Sequence, residues 1–190
     1  MRKLKNILLI TGTAAILITA AFLAVSHYYP VKYSALIDEL SGKYGIDRVL
    51  VYSLIHTESK FDENAESKAG AKGLMQLMED TADWAAGEIG ITDYDTLRIF
   101  EPGINIEIGC WYLNTLNRKY DGDLTLMLAA YNAGGGRVAE WLSDPEHSSD
   151  GVTLDSVPYA ETRGHIKKTT DNMKVYRILL EIDDRVKGRK

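Results

Sequence analysis

The chain reads as an all-α domain carried behind a single N-terminal hydrophobic helix. Three observations predict this. An uncharged stretch over residues 6–26, rich in Ile, Leu and Ala, follows a basic start. Beyond it, apolar residues recur at helical i, i+3, i+4 spacing in one segment after another. Stretches in which polar and β-branched apolar residues alternate, the mark of a half-buried strand, are missing.

The first element is the hydrophobic one. Arg2, Lys3 and Lys5 precede nineteen uncharged residues at 7–25, just enough to span a hydrocarbon core of roughly 30 Å. That exceeds the apolar core of about 7–15 residues usual for a cleaved signal, although Ala24-Val25-Ser26 resembles a cleavage site. An uncleaved anchor over residues 1–26 is therefore expected, with a secreted form as the alternative. No cysteine follows the stretch, so lipid attachment there is not expected. The basic residues lie before the span, which leaves everything after Tyr28 outside the cytoplasm.

A linker at 27–33 then leads into the main body at 34–184, with a basic tail at 185–190. In the body, helices are expected at 34–43, 47–58, 79–88, 103–119, 123–133, 135–142 and 160–184. Glycine or turn clusters separate them, and Asp47 is placed as a cap or first-turn acid. The polar stretch at 144–157 reads as an exposed loop.

Whole-chain quantities narrow the function. At 190 residues the chain can build one domain with a proper core but not two ordinary ones. Its 45% hydrophobic and 26% charged residues are a globular composition. Beyond the basic start, 19 of the 22 basic residues face all 27 acidic ones, a net charge of −8. Nucleic acid needs clustered cations to release its counterions, so it is not an expected partner. Bulk charge would not hold an anionic polymer either, and recognition must come from a shaped site. Tyrosine suits a groove for ligands both ringed and hydroxylated, although most of the eleven tyrosines read as the edge of a core. Cys110 is the only cysteine; in its apolar helical run it reads as a small buried residue rather than a reactive thiol. A monomer is expected.

Three patches carry the chemistry. Val51, Leu54 and Ile55 form one helical face whose next position, i+7, is Glu58. An acid at the end of an apolar stripe is partly desolvated, which favours the proton-bearing form that a glycosidase general acid needs. Next comes Ser67-Lys68-Ala69-Gly70-Ala71-Lys72-Gly73-Leu74-Met75-Gln76-Leu77-Met78. There two glycines permit a close backbone approach to a ligand, and Gln76 offers both a donor and an acceptor. Finally Leu124, Met127 and Leu128 line a face that continues to Tyr131, with Asn132 and three glycines after it. Each patch alone is as well explained by a helix end or a capped turn.

Taken together, Glu58-Ser59-Lys60-Phe61, Gly73-Leu74-Met75-Gln76 and Ala130-Tyr131-Asn132-Ala133-Gly134 resemble the signature of the soluble-type lytic transglycosylases. These are goose-lysozyme-like enzymes that act on peptidoglycan. Asn105, Gly109-Cys110-Trp111-Tyr112-Leu113, Pro158-Tyr159-Ala160-Glu161-Thr162-Arg163 and Tyr176 extend the match, in order, over roughly residues 34–180. The resemblance implies a lysozyme-like fold of the goose type. It implies Glu58 as catalytic acid/base, and Ser67, Gln76 and Met78 along the groove near an N-acetylated sugar, with Ser67 steering the N-acetyl group. Tyr131 and Asn132 would flank the cleavage point, and Glu161 would stand at the groove wall and organise those groups. The family usually has proline where this chain has Glu63, Glu79 and Gly135, which bears on local rigidity more than on chemistry.

No second carboxylate stands out as nucleophile or water-activating base, whereas ordinary glycosidases need two. The resemblance supplies the alternative. The substrate's own N-acetyl carbonyl assists departure of the leaving sugar, and the muramyl 6-hydroxyl captures the anomeric carbon. The β-1,4 bond between N-acetylmuramic acid and N-acetylglucosamine would thus be cut with 1,6-anhydro-muramyl products and no cofactor. A lysozyme-type hydrolase and a non-catalytic, membrane-tethered wall-binding module are the rival readings. No metal is expected, since His27, His56, His147 and His165 are dispersed and no pair has i, i+4 spacing.

Overall fold

The computed structural model describes residues 2–188. The last two residues of the expected basic tail, and the side chain of Arg2 in the basic start, lie outside what is described. Two compact units are present, one within residues 1–32 and one from Tyr33 onward.

The first unit is helix α1 (Arg2–Tyr28). It contains a 20-residue span, Leu9–Tyr28, with mean hydropathy 2.1 and side chains that stay exposed. At 1.5 Å per residue that span is about 30 Å long, so α1 is long and apolar enough to cross a membrane.

The second unit is helical. It comprises α2 (Ser34–Tyr44), α3 (Arg48–Glu58), α4 (Glu79–Ile89), α5 (Pro102–Lys119), α6 (Leu124–Ala133), α7 (Gly135–Ser143) and α8 (Ala160–Lys187). Among the described residues no strand forms; 66, 72 and 77 make only isolated antiparallel bridges. Sequence chemistry sets the boundaries. Gly45 takes the left-handed conformation that ends α2, with φ 65°. The Asp47 carboxylate then accepts from the Val49 amide at 2.8 Å and starts α3, as expected of a cap. Asp123 does the same for α6 through the Leu126 amide at 2.9 Å. The expected helices all form, within three residues at their ends, and a 3-10 turn at Arg98–Phe100 is an addition.

Helix α3 lies at the centre. Val51, Leu54 and Ile55 are fully buried, and α3 packs most extensively on α8. The face that α8 turns inward is unusual, because most of it is polar: Thr162, His165, Thr169, Asn172 and Tyr176 are all buried. Their spacing of three and four residues places them on one stripe. Thr169 and Asn172 reach Thr57 at 3.2 and 2.9 Å, so the last turn of α3 is gripped through hydrogen bonds as well as packing. Arg48 at the other end of α3 bridges Asp38 of α2 and Asp184 of α8. Cys110 is buried and burial pushes its thiol up to about 12, which fits a packing residue and not a reactive one.

The segment between α3 and α4 is held by Asn105 of α5. Its Oδ1 accepts from the Met75 amide at 2.7 Å, and its Nδ2 donates to the carbonyls of Ile99 and Lys72 at 2.8 and 3.1 Å. Gly73, with φ 75°, is where this clamp comes closest: a Cβ there would collide with the Asn105 amide and the Ile99 carbonyl. The expected close approach of backbone to ligand at Gly73 is thus a close approach to Asn105. Two of the positions where proline was expected are tied by side chains instead, Glu63 by the Tyr33 hydroxyl at 2.7 Å and Glu79 by Lys72 at 3.2 Å.

Candidate active site

Glu58 is the last residue of α3, and the chain leaves it sharply: Lys60 and Phe61 both have positive φ, 53° and 65°. Strain of this kind persists only where surrounding packing imposes it. Here Phe61 is buried against Tyr52 and Tyr176, and the Ser59 hydroxyl donates to the Leu74 carbonyl at 2.8 Å. The carboxylate is therefore fixed from both sides of the turn. Its side chain is only 17% exposed, and Glu58 Oε1 lies 2.8 Å from His165 Nε2.

His165 was not among the residues expected at the site. Its Nδ1 is buried with no hydrogen-bond partner among the described residues. A buried unpaired N–H is costlier than an unpaired lone pair on nitrogen, so the neutral tautomer with its proton on Nε2 is the one that suits the site. In that form Nε2 donates to Glu58 Oε1, and Oε2 has no hydrogen-bond partner among the described residues. The signal was present in the sequence as a polar stripe at helical spacing, with His165 next after Thr162.

A cavity of about 240 Å³ opens alongside, lined by Gln76, Met78 and Thr81 on one side and Tyr112, Tyr131 and Asn132 on the other. Four of the seven expected site residues meet there. Gln76 adopts φ 45°, and its Nε2 donates to the carbonyls of Ala65 and Gly73 at 3.0 and 3.1 Å. Both amide hydrogens are occupied, so Gln76 offers only its oxygen, not the donor and acceptor expected. Asn132 is its counterpart: its Oδ1 accepts from the Thr162 hydroxyl at 2.8 Å, which leaves the NH₂ to donate. The Tyr131 hydroxyl donates to the Met75 carbonyl at 2.8 Å. Burial, then the nearby Glu58 carboxylate, hold this phenol well above its usual range. Met78 is 46% exposed at the rim.

Glu58, Ser67 and Glu161 do not line the cavity; Glu58 is near it through Tyr131, whose phenol feels its charge. The Ser67 hydroxyl accepts from the Ala71 amide at 3.0 Å and closes the 67–71 turn. Glu161 is exposed in the first turn of α8, where its charge suits the helix N-terminus. The contact that orients Asn132 comes instead from Thr162, one residue on and about 100° around the helix. No Asp or Glu lines the cavity. A larger, shallower groove of about 720 Å³, between Thr125, Val157 and Arg163, holds none of these residues. Asp144, Glu146 and His147 come together on the surface, but Asp144 accepts from the Glu146 amide and His147 pairs with Ser156, which orders the 144–157 loop.

This all-helical architecture is that of the lysozyme-like proteins. Within that class the chain belongs to the Transglycosylase SLT domain family, whose profile matches residues 35–152. It is 33% identical over 141 residues to the soluble lytic murein transglycosylase of Salmonella typhimurium, a match covering 73% of this chain and 22% of that one. It is 32% identical over 169 residues to the membrane-bound lytic murein transglycosylase C of Cronobacter sakazakii, covering 77% and 46%. Among solved structures, an inactive glutamate-to-glutamine variant of lytic transglycosylase Slt from Pseudomonas aeruginosa superposes with TM-score 0.74 at 30% identity, covering 83% of this chain and 26% of that one. A 70-kDa soluble lytic transglycosylase in complex with bulgecin A gives 0.73 at 27% identity, covering 82% and 26%. The chain thus spans about a quarter of the length of these soluble relatives.

Proposed function

We propose that this chain is a peptidoglycan lytic transglycosylase, held at the membrane by α1 with its helical domain outside the cytoplasm. One observation carries the reading: a mostly buried carboxyl, Glu58, is held by His165 and lies near Tyr131, which lines a cavity with no carboxyl of its own. Family membership and the names of its relatives support it.

In this mechanism Glu58 Oε2 gives its proton to the glycosidic oxygen as the bond to the muramyl anomeric carbon breaks. The N-acetyl carbonyl of the same sugar supports the positive centre. The Gln76 oxygen and the Asn132 NH₂ are complementary to an N-acetyl group, which has one donor and one acceptor. Tyr131 and Met78 supply apolar surface for the ring. Ser67 acts through the turn it closes upstream of Gln76, and Glu161 from the first turn of α8. Once the leaving sugar departs, the Glu58 carboxylate takes the proton of the muramyl 6-hydroxyl, whose oxygen bonds to the anomeric carbon. One C–O bond breaks and one forms, Glu58 is regenerated, and neither water nor cofactor is consumed. The intramolecular hydroxyl competes well because effective molarities reach about 10⁵–10⁸ M.

Replacing Glu58 by Gln tests the reading. The amide keeps the shape and has no proton to give, so turnover of purified peptidoglycan should fall by about 10²–10⁴-fold with helical circular dichroism intact. Activity near wild type removes Glu58 from the mechanism.

A further inference from the structure

The aromatic surface does not end at the cavity. Met78, at the cap of α4, and Thr81 within it line the cavity wall, and Trp84 is the next position on that face of the helix. Helical rise carries the chain about 9 Å from Met78 to Trp84, room for another sugar ring. The Trp84 indole is 48% exposed although it is among the largest apolar groups in the chain. Two near-perpendicular neighbours fix its orientation: Trp111 with ring centroids 4.9 Å away and Tyr112 at 6.4 Å. Tyr112 in turn packs on Tyr131 at 5.5 Å. Tyr131, Tyr112 and Trp84 therefore form a continuous run of rings from the cavity out to solvent. Tyr112 belongs both to the cavity wall and to the Trp84 cluster.

Charge narrows what this platform takes. Asp80, Asp83 and Glu88 are exposed on the same short helix, so this position favours an uncharged sugar of the strand over one that bears a carboxylate. A fixed, half-exposed indole beside acidic side chains suits a neutral ring with an apolar face and a polar edge.

We propose that Trp84, supported by Trp111 and Tyr112, forms an additional subsite for the glycan strand, where a neutral N-acetylated pyranose stacks its C–H face on the indole. The inference rests on the reading of the neighbouring cavity as a glycan site. Its signature is a dependence on strand length. Full-length wild type and Trp84→Ala are compared in detergent on stem-free glycan strands, from a tetrasaccharide up to long strands, with kcat/KM followed against length. If stacking on Trp84 is comparable to an aromatic pair, the advantage of long strands over the tetrasaccharide should shrink about 3- to 10-fold in Trp84→Ala. It should be largely kept in Trp84→Phe. The ratio is internal to each preparation, so a loss of folded protein does not mimic the effect, and Trp84→Gln gives a second variant of retained bulk. An unchanged length advantage in both Trp84→Ala and Trp84→Gln overturns the subsite while leaving the cleavage reading intact. A wild type that cleaves none of the strands overturns the cleavage reading, and the subsite with it.

Discussion

His165 Nε2 stands 2.8 Å from Glu58 Oε1, so the end of α3 and the buried stripe of α8 meet at the carboxyl proposed as the acid. No other hydrogen bond to the Glu58 side chain is present among the described residues. In the proposed mechanism His165 is a positioning residue: it engages one oxygen of the acid and leaves the other for the substrate. Substituting it should therefore lower kcat far more than it raises KM. For His165→Ala we expect a fall in kcat of about 10–100-fold, the value of one charge-assisted hydrogen bond of about 1.5–3 kcal/mol. His165→Gln, whose amide can still donate, should recover part of it. A change in KM alone, with kcat kept, contradicts this role.

Thr162 should act through Asn132. Its hydroxyl holds the Asn132 oxygen, so that the NH₂ group faces the cavity. Thr162→Val keeps the shape and removes the donor. The amide can then turn over, and KM for glycan strands should rise about 5- to 10-fold, matching about 1 kcal/mol for a lost hydrogen bond. Thr162→Ser should behave like wild type. Steady-state kinetics on the three proteins decide it, and equal KM values would remove Thr162 from the site.

Much of this was legible in the sequence. Apolar stripes at helical spacing, the cap Asp47 and the glycine break after α2 marked the helices because these are local effects, whereas Asp123 emerges as a cap only in the structure. Glu58, Gln76, Met78, Tyr131 and Asn132 stood out through their motifs. What local pattern could not show was which partner each polar atom takes. Gln76 loses its donors to backbone carbonyls, Gly73 makes room for Asn105 thirty-two residues away, and Thr162 rather than Glu161 orients Asn132. His165 went unnoticed for the same reason. A histidine on a polar helix looks solvated until α3 packs over it.

The Tyr131 phenol predicts how stability changes at alkaline pH. Its folded-state pKa is raised above the ordinary value of 10, so the folded chain binds this proton more tightly than the unfolded one. The associated stability is complete below pH 10 and is lost as pH rises from there. The slope contributed by this group is about 1.4 kcal/mol per pH unit. Tyr131→Phe lacks the group. Urea midpoints measured between neutral pH and strongly alkaline pH should therefore fall more steeply in wild type than in Tyr131→Phe. Parallel curves would contradict the buried, proton-bearing phenol.

The central claim is that one acid and the substrate's own hydroxyl do the work, and the mass of the products tests it most directly. Purified peptidoglycan digested by the full-length protein should give fragments ending in 1,6-anhydro-N-acetylmuramic acid. Each would be lighter by one water than its hydrolytic counterpart and inert to borohydride. In the proposed mechanism Glu58 serves both proton transfers, and the products show whether its carboxylate activates the 6-hydroxyl or water. Fragments with fully reducible muramic ends would show that water is the acceptor, and would make this chain a lysozyme-type hydrolase on the same scaffold.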